Sequence, residues 1–133
     1  LQRGVLADVP VALPALPRAQ KLQKRAARHN FDWRSSDAVL AKLQEEIAEL
    51  RQAMRADSGA EIAQEMGDVL FSCVNLSRHL GLDAETSLRH ASDKFERRFR
   101  NMEAAAEQAG VEFSTLTDSE MDALWEAAKL SLR

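Results

Sequence analysis

Residues 39–80 read VLAKLQEEIAELRQAMRADSGAEIAQEMGDVLFSCVNLSRHL. In the first half Val39, Leu43, Ile47, Leu50 and Met54 step by three and four, which is one face of an α-helix. Asp57-Ser58-Gly59 interrupts the pattern. It resumes on Ile62, Met66, Val69, Cys73, Leu76 and Leu80, and Gly81 follows as a C′ glycine. Two amphipathic helices separated by so short a break form an antiparallel pair. The spacing predicts helix two from a cap at Ser36 or Asp37 to about Ala56, and helix three from about Ala60 to Leu80.

The same periodicity extends outward. Helix one is predicted from about Ala15 to His29, with Pro17 tolerated in its first turn, and a loop follows to Asp37. Asp83 caps helix four, whose core face is Leu88, Phe95, Phe99, Met102 and Ala106 and which ends at Gly110. Thr117 with Glu120 is a capping box for helix five, which presents Met121, Leu124, Trp125 and Ala128. All three prolines (Pro10, Pro14, Pro17) lie in the first seventeen residues, so nothing but Gly breaks a helix afterwards. The expectation is an all-α protein, a four- to five-helix bundle over residues 15–133, preceded by an extended linker over residues 1–14.

Composition narrows the function. The chain has 133 residues, 45% hydrophobic and 29% charged, which is the mix of one globular domain. A single cysteine, Cys73, excludes an internal disulfide and a cysteine zinc site and suits the reducing cytoplasm. No apolar run is long enough to span a membrane. The net charge of −3 is uneven: residues 18–28 and 89–100 are basic, and residues 42–68 are acidic. A domain-wide basic footprint for a nucleic acid polymer is missing. An acidic centre with basic flanks suits a metal ion and a small polyanion.

The acids repeat a geometry. At 100° per residue, Glu46 and Glu49 fall at about 300° and 240° from Leu43, and Glu65 and Asp68 fall at about the same angles from Ile62. Both helices thus carry an acid pair on the same flank of an apolar stripe, and packing the stripes together brings the pairs near one another. Phe71 and Val74 occupy the far side of helix three. That leaves one polar stripe of Glu65, Asp68, Ser72, Asn75 and His79 on a helix otherwise apolar all round, the mark of a buried helix. Carboxylates there need a cation. The plain alternative is a solvated face with pairs such as Lys42–Glu46, but Glu45 and Glu49 are like charges at i, i+4. An all-carboxylate donor set suits Mg²⁺, with Mn²⁺ as a substitute. No Glu-x-x-His pair of the di-iron kind is present, and His79 reads as a hydrogen-bonding residue. Mg²⁺ held by carboxylates commonly meets substrate phosphates. Lys94 and Arg98, at i, i+4 on helix four, could grip their oxygens.

Glu45-Glu46-x-x-Glu49 followed by Glu65-x-x-Asp68 resembles the EExxE…ExxD signature of the MazG-type nucleoside triphosphate pyrophosphohydrolases, of the all-α NTP pyrophosphatase superfamily. LPALPRAQKLQKRAA (13–27), FDW (31–33), EMGDVLFSCVNLSRHLG (65–81), KFERRFRNME (94–103) and the helix with Trp125 share the likeness. The LPAL segment resembles the lead-in to the second of two related domains, so the chain is expected to be a C-terminal domain. The resemblance implies hydrolysis of a nucleoside triphosphate to the monophosphate and pyrophosphate. A water made more acidic by the metal would attack the α-phosphorus. Glu46, Glu49, Glu65 and Asp68 would hold Mg²⁺, and Glu45 could orient or deprotonate the water. Lys94 and Arg98 would bind the triphosphate, and Trp125 would pack on the base. Asn75 on the polar stripe and Lys24 in the first basic segment complete the substrate-binding candidates. A homodimer or tetramer completing the bundle is also implied. The competing readings are a non-catalytic nucleotide- or partner-binding module and an enzyme of the superfamily narrowed to one (deoxy)nucleotide.

Overall fold

Caps mark several of the helix ends in this chain. In the computed structural model, which describes residues 3–132, the helices are α1 (Ala15–Ala27), α2 (Ser36–Arg55), α3 (Gly59–His79), α4 (Ala84–Gln108) and α5 (Asp118–Ser131). A 3-10 turn, Phe113–Thr115, precedes α5, and no strand occurs among the described residues. The expected all-α fold is present. The N-cap of α2 is Ser35, not Ser36 or Asp37. Ser35 is extended and its side chain accepts from the Ala38 amide at 3.1 Å, whereas Ser36 is already helical. Asp37 sits in the first turn instead, where an acid complements the helix dipole. α1 stops at Ala27, two residues early, because Asn30 turns to φ 66 and its amide bonds the Ala27 carbonyl. Gly81 at φ 73 closes α3 in a Schellman motif, the Leu82 amide reaching the Ser77 carbonyl at 2.9 Å. Asp83 caps α4 through the Thr86 amide at 3.1 Å. Thr117 and Glu120 form the expected capping box.

The chain divides into two compact units, Leu1–Ser87 and Leu88–Arg133. In the first, α2 and α3 pack along their lengths as the predicted hairpin, and α1 packs on another side of α3. Leu16 and Leu22 of α1 face Gly67, Leu70, Phe71 and Val74 of α3 across a cavity of about 330 Å³. The buried Gln23 side chain donates from Nε2 to the Phe71 carbonyl at 3.0 Å. So the far side of α3 is apolar because it has a second helix to meet. The core is built of small residues: Val39 (1% exposed), Ala53, Val69, Val74 and Ala84.

α3 is not buried all round: Met66, Leu70, Phe71 and Leu80 stay exposed, Leu70 by 52%, because α1 and α2, its neighbours within the first unit, leave them uncovered. Residues 4–9 are not extended either. They turn, with the Val9 amide bonding the Leu6 carbonyl at 3.1 Å, Val9 buried and Asp8 paired with Arg25.

In the second unit Phe95 and Phe99 stack at 6.0 Å, Phe99 meets Phe113 edge-on at 5.2 Å, and Phe95 tilts against Trp125 at 5.6 Å. Met102, Ala106 and Ala128 are buried in this unit. Leu88 and Phe95, expected in the core, are more than half exposed.

Candidate metal centre

The predicted α2–α3 pairing brings carboxylates from both helices together. Oxygens of Glu46, Glu49 and Glu65 lie within 4.8 Å of one another. Glu46 and Glu49 are one turn apart on α2, and Glu65 arrives from the second turn of α3. Glu46 is buried (7% exposed), Glu65 half-buried and Glu49 exposed. One cation faces them: Lys42 Nζ lies 3.2 Å from Glu46 Oε1 and 4.0 Å from Glu45. The Lys42–Glu46 pair of the plain alternative therefore exists inside the acid group. It holds the ammonium above the usual lysine range, with the Glu46 hydrogen bond as the main cause. Three carboxylates against one ammonium leave two negative charges in excess. The Glu49 carboxyl is accordingly pushed up, first by the charge of Glu46, then by burial and by Glu65.

The donor set fits a divalent ion. Glu46 Oε2 and Glu65 Oε2 are buried and have no hydrogen-bond partner. A buried carboxylate oxygen without a donor is costly, and a cation held by the group would offset that cost. Oxygen-only donors match a hard ion such as Mg²⁺.

The other predicted site residues fall elsewhere. Asp68, one turn beyond Glu65, is exposed and stands outside the group of three; Glu45 is exposed beside Lys42. Asn75 is buried, and its Oδ1 accepts from Arg78 at 2.7 Å. Lys24 lines a cavity with Arg78, Gly81 and Asp83, at the opposite end of α3 from Glu65. In the second unit Lys94 is exposed, and the Arg98 guanidinium lies 5.6 Å from the centre of the Trp125 ring. Arg98 Nε is buried without a partner.

Sequence reasoning missed one cluster. Asp32, of the FDW stretch, accepts from Arg78 at 2.6 and 3.0 Å and from His79 Nε2 at 2.8 Å. These bonds tie the α1–α2 loop to the end of α3 and hold the Asp32 carboxyl at about 2, with the Arg78 hydrogen bond the largest cause. His79 is thus the hydrogen-bonding residue it was expected to be. An acid in a loop followed far along the chain by adjacent Arg and His was the available signal, but such pairs carry no fixed spacing. Trp33, of the same stretch, is exposed on this loop.

Comparison with known proteins adds to this geometry. Residues 34–102 match the MazG nucleotide pyrophosphohydrolase domain. The chain is 44% identical over 130 residues to the nucleoside triphosphate pyrophosphohydrolase of Escherichia coli K12, covering 96% of this chain and 49% of that protein. It is 39% identical over 124 residues to the nucleoside triphosphate pyrophosphohydrolase/pyrophosphatase MazG of Thermotoga maritima, covering 93% of this chain and 48% of that one. An uncharacterized protein of Bacillus subtilis, YabN, is 38% identical over 129 residues, 96% of this chain and 26% of its own length. The chain spans about half the length of the first two relatives.

Proposed function

The chain belongs to the MazG nucleotide pyrophosphohydrolase domain family, and on that premise we propose that it hydrolyses nucleoside triphosphates to the monophosphate and pyrophosphate. The observation that carries the reading is the convergence of Glu46, Glu49 and Glu65 with two unpartnered carboxylate oxygens. These three residues would hold Mg²⁺, with Asp68 as a fourth ligand from the next turn. When bound, the ion neutralises charge on the phosphates and acidifies a nearby water. Water attacks the α-phosphorus, the bond from that phosphorus to the bridging oxygen breaks, and pyrophosphate leaves. Glu45 orients the attacking water or takes its proton. Lys94 and Arg98 bind phosphate oxygens, and Trp125 offers its ring to the base. Asn75 acts through Arg78, whose head it holds.

The test is product analysis with eight common NTPs and dNTPs, in Mg²⁺ and in EDTA. The expected result is pyrophosphate plus monophosphate, lost in EDTA, with the ranking of bases read directly. Orthophosphate plus diphosphate means attack at the γ-phosphorus and overturns the reaction; no release from any nucleotide favours a binding module.

The working form is proposed to be a cytoplasmic homodimer or tetramer. Ile47, Met54, Met66 and Leu70 are exposed on the helices that carry the acids, and large apolar residues concentrated in this way mark an interface. No helix among the described residues is long and apolar enough to cross a membrane. Sedimentation equilibrium should give at least twice the chain mass of 14.8 kDa; a monomer at micromolar concentration would remove the oligomer.

A further inference from the structure

We propose that the outward face of α1 is a second anion site, built for a small phosphorylated ligand and remote from the carboxylate centre. Lys21, Lys24 and Arg28 recur at three- and four-residue steps, so they share one stripe of the helix. They line a cavity of about 350 Å³ together with Gln20, Arg25 and Asp83. Arg25 is taken by Asp8. Lys21, Lys24 and Arg28 form no direct ion pair among the described residues, although Asp8 lies within electrostatic reach of Lys21 and Asp83 of Lys24. Asp83 is the single acid of the lining, and its Oδ2 is already engaged by the Thr86 amide at 3.1 Å and the Thr86 hydroxyl at 2.7 Å. Like charges at such spacing repel. A bound phosphate group reverses that cost and accepts charge-assisted hydrogen bonds from the ammonium groups and the guanidinium fork.

The site is separate from the acids. Lys24 also lines the neighbouring cavity with Arg78 and Gly81, so the basic stripe lies over the C-terminal end of α3. From Glu65 to Arg78 is more than three turns, about 20 Å at the α-helical rise. One triphosphate cannot reach from the carboxylate centre of the chain to this cavity. Lys24 therefore belongs to the second site. A nucleic acid polymer is disfavoured by the chain's net charge of −3. The ligand is a compact anion carrying at least two charges: a free polyphosphate or the phosphate end of a nucleotide. The inference does not depend on the hydrolase reading.

The experiment is isothermal titration of the full chain with inorganic pyrophosphate at low salt in EDTA, where no turnover occurs and the carboxylate centre repels the anion. Wild type is expected to bind. The Lys24→Glu/Arg28→Glu variant, changed at exposed positions, is expected to bind at least about tenfold more weakly. The milder Lys21→Gln/Lys24→Gln variant should fall between the two, with helical circular dichroism unchanged in all three. A parallel titration with adenosine monophosphate separates the sources: the tighter probe identifies a free or a nucleotide-borne phosphate. No binding of either probe by the wild type, or equal binding by the charge-reversed variant, overturns the second site.

Discussion

Glu46→Gln is expected to abolish pyrophosphate release, lowering kcat by at least about a thousandfold, while the protein stays folded. A metal centre supplies several kcal/mol of charge stabilisation in the transition state, and about 4 kcal/mol corresponds to roughly three orders of magnitude in rate. Glu46 is the buried member of the three-carboxylate group, and its Oε2 is one of the two oxygens left without a donor. Glutamine keeps the side chain's shape and still offers Lys42 an acceptor, so the local packing survives. It removes one of three crowded negative charges. The metal-free variant should therefore unfold at the same temperature as wild type or above it, whereas Mg²⁺ should raise the melting temperature of wild type only. Steady-state pyrophosphate assays and thermal melts with and without Mg²⁺ read both effects. Activity within tenfold of wild type would sink the metal assignment. Asp68→Asn is expected to be equally inactive, since the i, i+3 pattern gives Asp68 the same standing as Glu49; retained activity there alone would confine the ligands to the group of three.

Asp32→Ala is expected to destabilise the protein by about 2 kcal/mol, a fall of roughly 5–10 °C in melting temperature. The carboxylate receives both Arg78 bonds and the His79 bond. Arg78 and His79 are mostly buried, and Arg78 Nε already lacks a partner. Removing Asp32 leaves a mostly buried guanidinium with only partial satisfaction, from Asn75 at 2.7 Å and the His79 ring nitrogen at 3.3 Å. The same group sets an acid limb. Its carboxyl lies at about 2 in the folded chain against an ordinary 3.8. The contribution is fully present above about pH 4 and is lost as the pH falls through 2. With 24% of the side chain exposed, solvent screening reduces it to roughly 1 kcal/mol. Denaturant midpoints between pH 5 and 2 should fall more steeply for wild type than for Asp32→Ala. Parallel acid limbs, or an unchanged melting temperature, would refute the latch.

Local pattern was enough for the helices. The three- and four-residue steps of Val39 to Leu80, the Asp83 cap and the Thr117–Glu120 box each depend on neighbours within one turn, and all three are present. The i, i+3 acids of α2 and α3 belong to the same class, because 3.6 residues per turn fixes their common flank whatever else the chain does. Their convergence was legible only as a possibility. That Glu46, Glu49 and Glu65 meet while Asp68 stays outside follows from how two helices cross and which way each side chain turns. The surroundings of Lys24 depend on packing in the same way, since it lines a cavity with Arg78, Gly81 and Asp83 at the end of α3 away from the acids. The Asp32–Arg78 pair joins residues 46 positions apart. No periodicity announces such a contact, for it exists only once the hairpin has closed. The five helices and the acid pairs follow from interactions confined to single turns. Which acids meet and which cations lie away from them follows from packing, because nothing else brings charges on different helices to one point.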